Sequence, residues 1–192
     1  MTLQEFEEAL VGLIGRPTDL RPFVCEGSPL RCDVFLVGFN PATGMAGDFW
    51  DHWKSGVGFA KAEWFQAYLA DRRTRPLKPG KKSRPAVSNT RRRLGWIEEG
   101  ADGVSILETN IFARATETKA ELALKDRSSE PFRFLVETIE PKVIVAHGAD
   151  AHVAVDQLNT SAQVIKIPHL SRAWSTARAR EFGRSLLIKK VQ

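Results

Sequence analysis

The stretch DVFLVGFNP, Asp33 to Pro41, decides how the rest of the chain is read. Val34 to Val37 is apolar throughout and β-branched at two positions, the pattern of a strand buried on both faces, and it stops at the tight polar turn Gly38-Phe39-Asn40-Pro41. Strands buried on both faces belong to parallel sheets covered by helices. Working outward, the same grammar recurs. VSIL, Val104 to Leu107, opens a strand ending in Glu108-Thr109-Asn110; KVIVA, Lys142 to Ala146, ends at His147-Gly148; and Val164 to Ile167 runs into Pro168-His169. Helical patterns fill the intervals at Glu63 to Leu69, Pro131 to Ile139, Ala149 to Leu158 and Ser175 to Leu187. A first helix carries Phe6, Leu10, Leu13 and Ile14 on one face and ends at Gly15-Arg16-Pro17. Strands separated by helices pair in parallel with helices on both faces. The expected fold class is therefore α/β: a three-layer α/β/α sandwich around a short, mainly parallel four-stranded sheet.

Length and composition agree. A chain of 192 residues suits a single domain over 1–192, and 43% hydrophobic with 27% charged residues describes an ordinary globular protein. No apolar run approaches a membrane span, and the acidic, amphipathic start MTLQEFEEALVGLIG lacks the basic n-region of a signal peptide, so a cytoplasmic protein with no membrane partner is expected. Cys25 and Cys32 are too few for a disulfide scaffold or a Cys₄ metal site, so neither metal nor other cofactor is expected. The net charge of +5 is unevenly spread: Asp71 to Arg93 holds ten Lys or Arg against a single acid. With Pro76, Pro79, Gly80 and Pro85, this stretch reads as a long basic insertion at about 71–93, either a contact for phosphates or a solvated loop.

Each strand is followed by a turn bearing chemistry: Asn40, Asn110, His147 or His169. In open parallel sheets ligands bind outside the carboxyl ends of the strands, so these turns can converge on one pocket. Taken singly they have plainer readings. Asn before Pro, and Asn at a strand end, are ordinary turns, and His147-Gly148 reads as a structural turn. His169 can serve only to satisfy local polar groups. His52, His147 and His152 show no metal-ligand spacing and are assigned no role.

Together, GFNP at Gly38 to Pro41, the pair Thr109-Asn110, and His169-Leu170-Ser171 resemble the motifs of the uracil-DNA glycosylase superfamily. The layout from Asn40 to Leu69, including Ser55-Gly-Val-Gly-Phe59, is similar to its single-strand-selective monofunctional branch. The resemblance implies a DNA glycosylase that flips a uracil or another deaminated base out of the stack and hydrolyses its bond to deoxyribose. It implies catalytic roles for Asn40, holding the attacking water, and for His169, stabilising the anionic leaving base. Phe59 would stack on the base, with Phe49 and Trp50 as rivals; Asn110 would read its edge, and Gly38 and Phe39 would complete the base-binding set. Ser171 would touch a phosphate, Arg172 or Trp174 would fill the vacated position, and Lys81, Lys82, Arg84, Arg91, Arg92 and Arg93 would track the backbone of single- or double-stranded DNA. A monomer is expected.

The sequence departs from that pattern at Ala42 and Leu170, and a neutral Asn40 stands where some branches carry an aspartate. These departures motivate a second reading, a catalytically weak or inactive nucleic-acid-binding protein of the same fold. A third is a hydrolase acting on a free nucleoside or other small molecule; the basic run argues against a neutral small substrate.

Overall fold

The computed structural model describes residues 1–42, 44–45, 47–77, 79–172 and 174–191, with side chains through Leu187. Its central strands are Val34–Gly38 (β3), Ile106–Asn110 (β6), Val143–His147 (β7) and Gln163–Ile167 (β8), with the two-residue Phe23–Val24 (β1) on one edge. The order is β1-β6-β3-β7-β8, parallel except for β1, which runs antiparallel to β6. The sheet thus has five strands, not the expected four. The extra strand is too short to leave a pattern in sequence and exists because Phe23 pairs with Thr109 and Val24 with Glu108. A second sheet, also unforeseen, joins Glu26–Gly27 (β2), Gly58–Ala60 (β5) and Trp53–Lys54 (β4) in the order β2-β5-β4.

Alternation along the central strands divides the apolar core in two. Phe35, Val37, Leu107, Ile144 and Ala146 pack with residues of Leu3–Ile14 (α1), Glu130–Ile139 (α4) and Ala149–Val155 (α5). Val34, Leu36, Ile106, Val143, Val145 and Ile167 meet Asn89–Gly100 (α3) and Thr176–Val191 (α6) on the other face. Helices therefore cover both faces of a mixed, mostly parallel sheet. The helix α1 begins at a capping box, Thr2 and Glu5 each accepting from the other's backbone N–H, and buries Phe6, Leu10 and Ile14. Leu13, expected on that face, is 39% exposed. Helices α3 and α6 touch backbone to backbone: a Cβ on Gly100 would overlap the carbonyl of Arg180, and one on Gly183 the carbonyl of Ile97.

The basic stretch is less of a loop than its composition suggests. Lys61–Thr74 (α2) enters it from one side and α3 from the other, leaving residues 75–88 between them. That connection is fastened by guanidinium groups: Arg84 donates to the carbonyls of Arg72 (3.2 Å), Arg75 (3.1 Å) and Pro76, and Arg72 to those of Ala86 (3.1 Å) and Pro85 (3.0 Å). Arg72 and Arg84 thereby serve the fold. Among the described residues no helix is long and apolar enough to cross a membrane.

Candidate functional site

Register brings the first groups together. Gly38 ends β3 directly opposite Asn110 at the end of β6, and His147 closes β7 opposite Ile167 of β8. A Cβ on Gly38 would lie 2.6 Å from Asn110 Oδ1 and 3.0 Å from His147 Nε2, so glycine is required for these two side chains to meet above it. His169, two residues beyond β8, stands with its ring at right angles to that of His147, centroids 5.0 Å apart. Three strand ends and the segment after a fourth thus assemble Gly38, Asn110, His147 and His169. Three of the four, Gly38, Asn110 and His169, are candidates from the sequence; His147 is the member that sequence reasoning passed over, although it ends its strand as Asn110 does.

The turn after β8 fixes the chemistry of His169. The Ser171 backbone N–H donates to His169 Nδ1 (3.1 Å), and the Ser171 hydroxyl lies 2.7 Å from the same atom. A nitrogen that accepts from an N–H carries no proton, so the neutral ring holds its proton at Nε2 and presents a donor there. Partial burial, with the Arg172 charge as a lesser cause, lowers the His169 pKa below its usual value and favours this neutral form. Ser171 is therefore spent on orienting the histidine, while Arg172, exposed, donates its backbone N–H to the His169 carbonyl (3.0 Å). Burial, then the neighbouring His169, push the His147 pKa down to about 3, so it too is neutral.

Asn40 lies in the turn after β3, braced by the segment after β6. Backbone bonds run from Ile111 to Gly38 (3.0 Å), Phe112 to Phe39 (3.0 Å) and Thr116 to Pro41 (3.1 Å). The Thr116 hydroxyl gives its hydrogen to the Thr118 carbonyl (2.8 Å) and so must accept from Asn40, whose Nδ2 reaches it at 2.8 Å. This chain of donors sets the amide orientation: Nδ2 faces the 114–116 segment, and Oδ1 is the other fork. Phe39, half-buried, meets Phe112 edge-on at 5.1 Å with Lys119 Nζ 5.1 Å from its ring centre.

Other candidates are placed elsewhere. Phe59 is 1% exposed and stacks on Phe49 at 5.3 Å, with Phe23 and His52 around it. It lines a cavity of about 30 Å³ together with Arg21, His52 and Trp64, room for a water and not for a base. The expectation of an available stacking face at Phe59 is corrected accordingly: its ring is committed to the aromatic core. Trp50, the other rival stacker, is also buried. Trp174 is 6% exposed, meets Phe182 edge-on at 5.7 Å and carries Arg178 over its ring, so it fills core space and is no wedge.

Arg91 is corrected likewise. Its guanidinium forks onto the Glu108 carboxylate, Nη1 to Oε1 at 2.6 Å and Nη2 to Oε2, and lies 4.9 Å from the Trp64 ring centre. Lys61 Nζ joins Glu108 (2.9 Å) and Glu98 in the same network. Burial opposes the Glu108 charge, but Arg91 and Lys61 outweigh it and hold its carboxyl well below the usual range; burial and Glu108 together push Glu98 up to about 7. Arg93 turns its Nε to the Trp174 carbonyl (3.3 Å). Of the expected DNA track, Lys81, Lys82 and Arg92 are exposed, and Arg84 is tied to carbonyls as described.

Among the described residues no three His, Cys, Asp or Glu side chains gather as a metal-binding set. No known protein-family model matches the chain, and no curated protein matches it.

Proposed function

We propose that the protein is a metal-independent DNA glycosylase of the uracil-DNA glycosylase type, hydrolysing the N-glycosidic bond of uracil or another deaminated base in base excision repair. The observation that carries this reading is the neutral His169 with Nδ1 held by Ser171, which leaves Nε2–H as the ring's free donor; the ring meets His147, which shares the Gly38 niche with Asn110 at the carboxyl end of the sheet. Breaking the bond leaves an oxocarbenium-like sugar and an anionic base. A donor already oriented toward the developing oxyanion stabilises that transition state, and a neutral imidazole performs this without giving up a proton. Asn110 reads the base edge, and Asn40 positions water through Oδ1. An amide is no general base, so the enzyme is slow or favours bases that leave easily. In this reading the molecule is a cytoplasmic three-layer sandwich that acts as a monomer, with Lys81, Lys82 and Arg92 drawing DNA to it and Arg172 following His169 toward the vacated base position.

A second reading, a non-catalytic nucleic-acid binder of the same fold, is favoured by one observation: the ring faces of Phe59 and Phe49 are turned on each other, so the aromatic ring expected to stack on a base is committed to the core. Incubation with single- and double-stranded oligonucleotides carrying uracil, hypoxanthine or xanthine, followed by alkali, separates the two. Strand breaks that vanish in His169→Ala support the enzyme; intact strands with salt-sensitive binding support the binder.

A further inference from the structure

We propose that His147 is a specificity-determining residue which, with Asn110, presents a paired donor and acceptor above Gly38 that selects the lactam edge, N–H beside C=O, created in a base by deamination. This rests on the glycosylase reading and names what the site discriminates. Asn110 Oδ1 and His147 Nε2 lie within 3.0 Å of one point, the position a Gly38 side chain would take. His147 is 8% exposed, and its Nδ1 is buried with no hydrogen-bond partner among the described residues. A structural histidine satisfies its ring, as His152 does by setting Nε2 2.9 Å from the Ile167 carbonyl and 3.1 Å from that of Ala146. No protein group holds the His147 ring in that way among the described residues, so its Nε2, which faces the Gly38 niche, is left for a ligand.

The tautomer follows from the same contrast. A proton on Nδ1 would be a buried donor with no acceptor, so the neutral ring carries it on Nε2, toward Asn110 and the strand ends. An Nε2–H donor beside an Oδ1 acceptor complements C=O beside N–H. Uracil offers that edge at C4=O and N3–H, and hypoxanthine and xanthine at C6=O and N1–H. Cytosine and adenine offer the reverse, a bare ring nitrogen beside an amino group, and would set donor against donor and acceptor against acceptor. A site built around hydrogen bonds rejects the mismatched analogue far more strongly than an apolar pocket does.

The test uses the full chain and single-stranded oligonucleotides whose central nucleotide carries a 2′-fluorinated sugar, so that the glycosidic bond survives. Binding is compared for uracil, cytosine and 2-pyrimidinone, which lacks the C4 carbonyl, alongside thermal melting of each variant. Wild type is expected to prefer uracil over both. His147→Phe, which keeps the ring and its edge contact with His169, is expected to lose about tenfold of that preference with an equal or higher melting temperature, because it deletes an unsatisfied polar group. His147→Gln, with an amide N–H, is expected to recover part of it. A full uracil preference in folded His147→Phe, lost in Asn110→Ala, overturns the inference alone. Equal binding of all three oligonucleotides by wild type overturns the glycosylase reading and this inference with it. Should His147→Phe fail to fold, the wild-type comparison of uracil with 2-pyrimidinone decides: undiminished binding of 2-pyrimidinone overturns the proposal.

Discussion

His169 shows how one turn can determine a residue's chemistry. With Nδ1 accepting from Ser171, the imidazole has one proton and one direction in which to offer it. His169→Ala is expected to lower cleavage about 10² to 10³-fold, the usual cost of removing one oxyanion donor. Ser171→Ala removes a donor that favours the unprotonated Nδ1, so the His169 pKa should rise, and the acidic limb of the pH–rate profile should move to higher pH. On the glycosylase reading the neutral form is the active one; because its pKa is lowered, activity should persist below 6.5 and fall only as pH drops through the depressed value. His147 leaves a thermodynamic trace as well. Its pKa falls from 6.5 to about 3 on folding, so its stabilising contribution is complete above 6.5 and is lost as pH decreases toward 3. Urea unfolding from pH 7 to pH 3 should therefore show wild type losing on the order of a few kcal/mol more than His147→Phe. At this scale the sequence revealed which residues end strands but not which are satisfied. Asn110 and His147 occupy equivalent positions, and only the Gly38 niche and the orphaned Nδ1 set His147 apart from His152.

At the scale of elements, the consequential misreading is α3. Its three successive arginines, Arg91 to Arg93, dominate the composition, so the segment looks like a polyelectrolyte loop. The helical signal was nonetheless present: Ser88 caps the helix by accepting from the Arg91 N–H at 3.1 Å, and Leu94, Ile97 and Ala101 are buried at helical spacing. What composition could not supply is the partner. Arg91 belongs to Glu108 because α3 packs across β6, a fact of tertiary structure. Arg91→Ala, which leaves the buried Glu108 carboxylate with Lys61 as its remaining cationic partner, is expected to cost about 1.5 to 3 kcal/mol in denaturant unfolding, the loss of hydrogen bonds to a charged group. Lys81→Ala and Lys82→Ala should stay within about 0.5 kcal/mol of wild type. Glu98, by contrast, has a raised folded pKa: its contribution is complete below 4.5 and declines as pH rises through about 7. Glu98→Gln should accordingly flatten the fall in melting temperature between pH 5 and pH 8. Of the four long strands, β3 and β7 were legible as continuous apolar runs and β6 and β8 by shorter apolar pieces such as Ile106-Leu107 and Val164-Ile165, whereas β1, β2, β4 and β5 are made by their neighbours and have no pattern of their own. Aromatic residues such as Phe59 and Trp174 look alike in sequence whether they stack on a ligand or on each other.

For the whole molecule, charge and connectivity set what can be measured. With several arginines withdrawn into the fold, the cations of this region left exposed are groups such as Arg73, Lys81, Lys82 and Arg92, the ones the proposed DNA contact would use. Replacing Lys81, Lys82 and Arg92 together by alanine is expected to flatten the dependence of log Kd on log salt by about 2 for a single-stranded oligonucleotide, the share of three phosphate contacts. Titrations at several salt concentrations would check it; an unchanged slope would place the contact elsewhere.

The position of β3 at the centre of the sheet also bears on the order of events in folding. Val34 finds Ile106 on one side and Val143 on the other, so neither edge of the central strand can be satisfied until distant parts of the chain have come back to it. Local helices such as α1, with its own cap, have no such wait. Refolding should begin with a fast gain of helical signal and end with a slower sheet-forming step, in the millisecond-to-second range of nonlocal topologies. Because Gly38, Asn110 and His147 lie at the ends of those late-pairing strands, the candidate site should be among the last features to form, and ligand binding there should report completion of the fold.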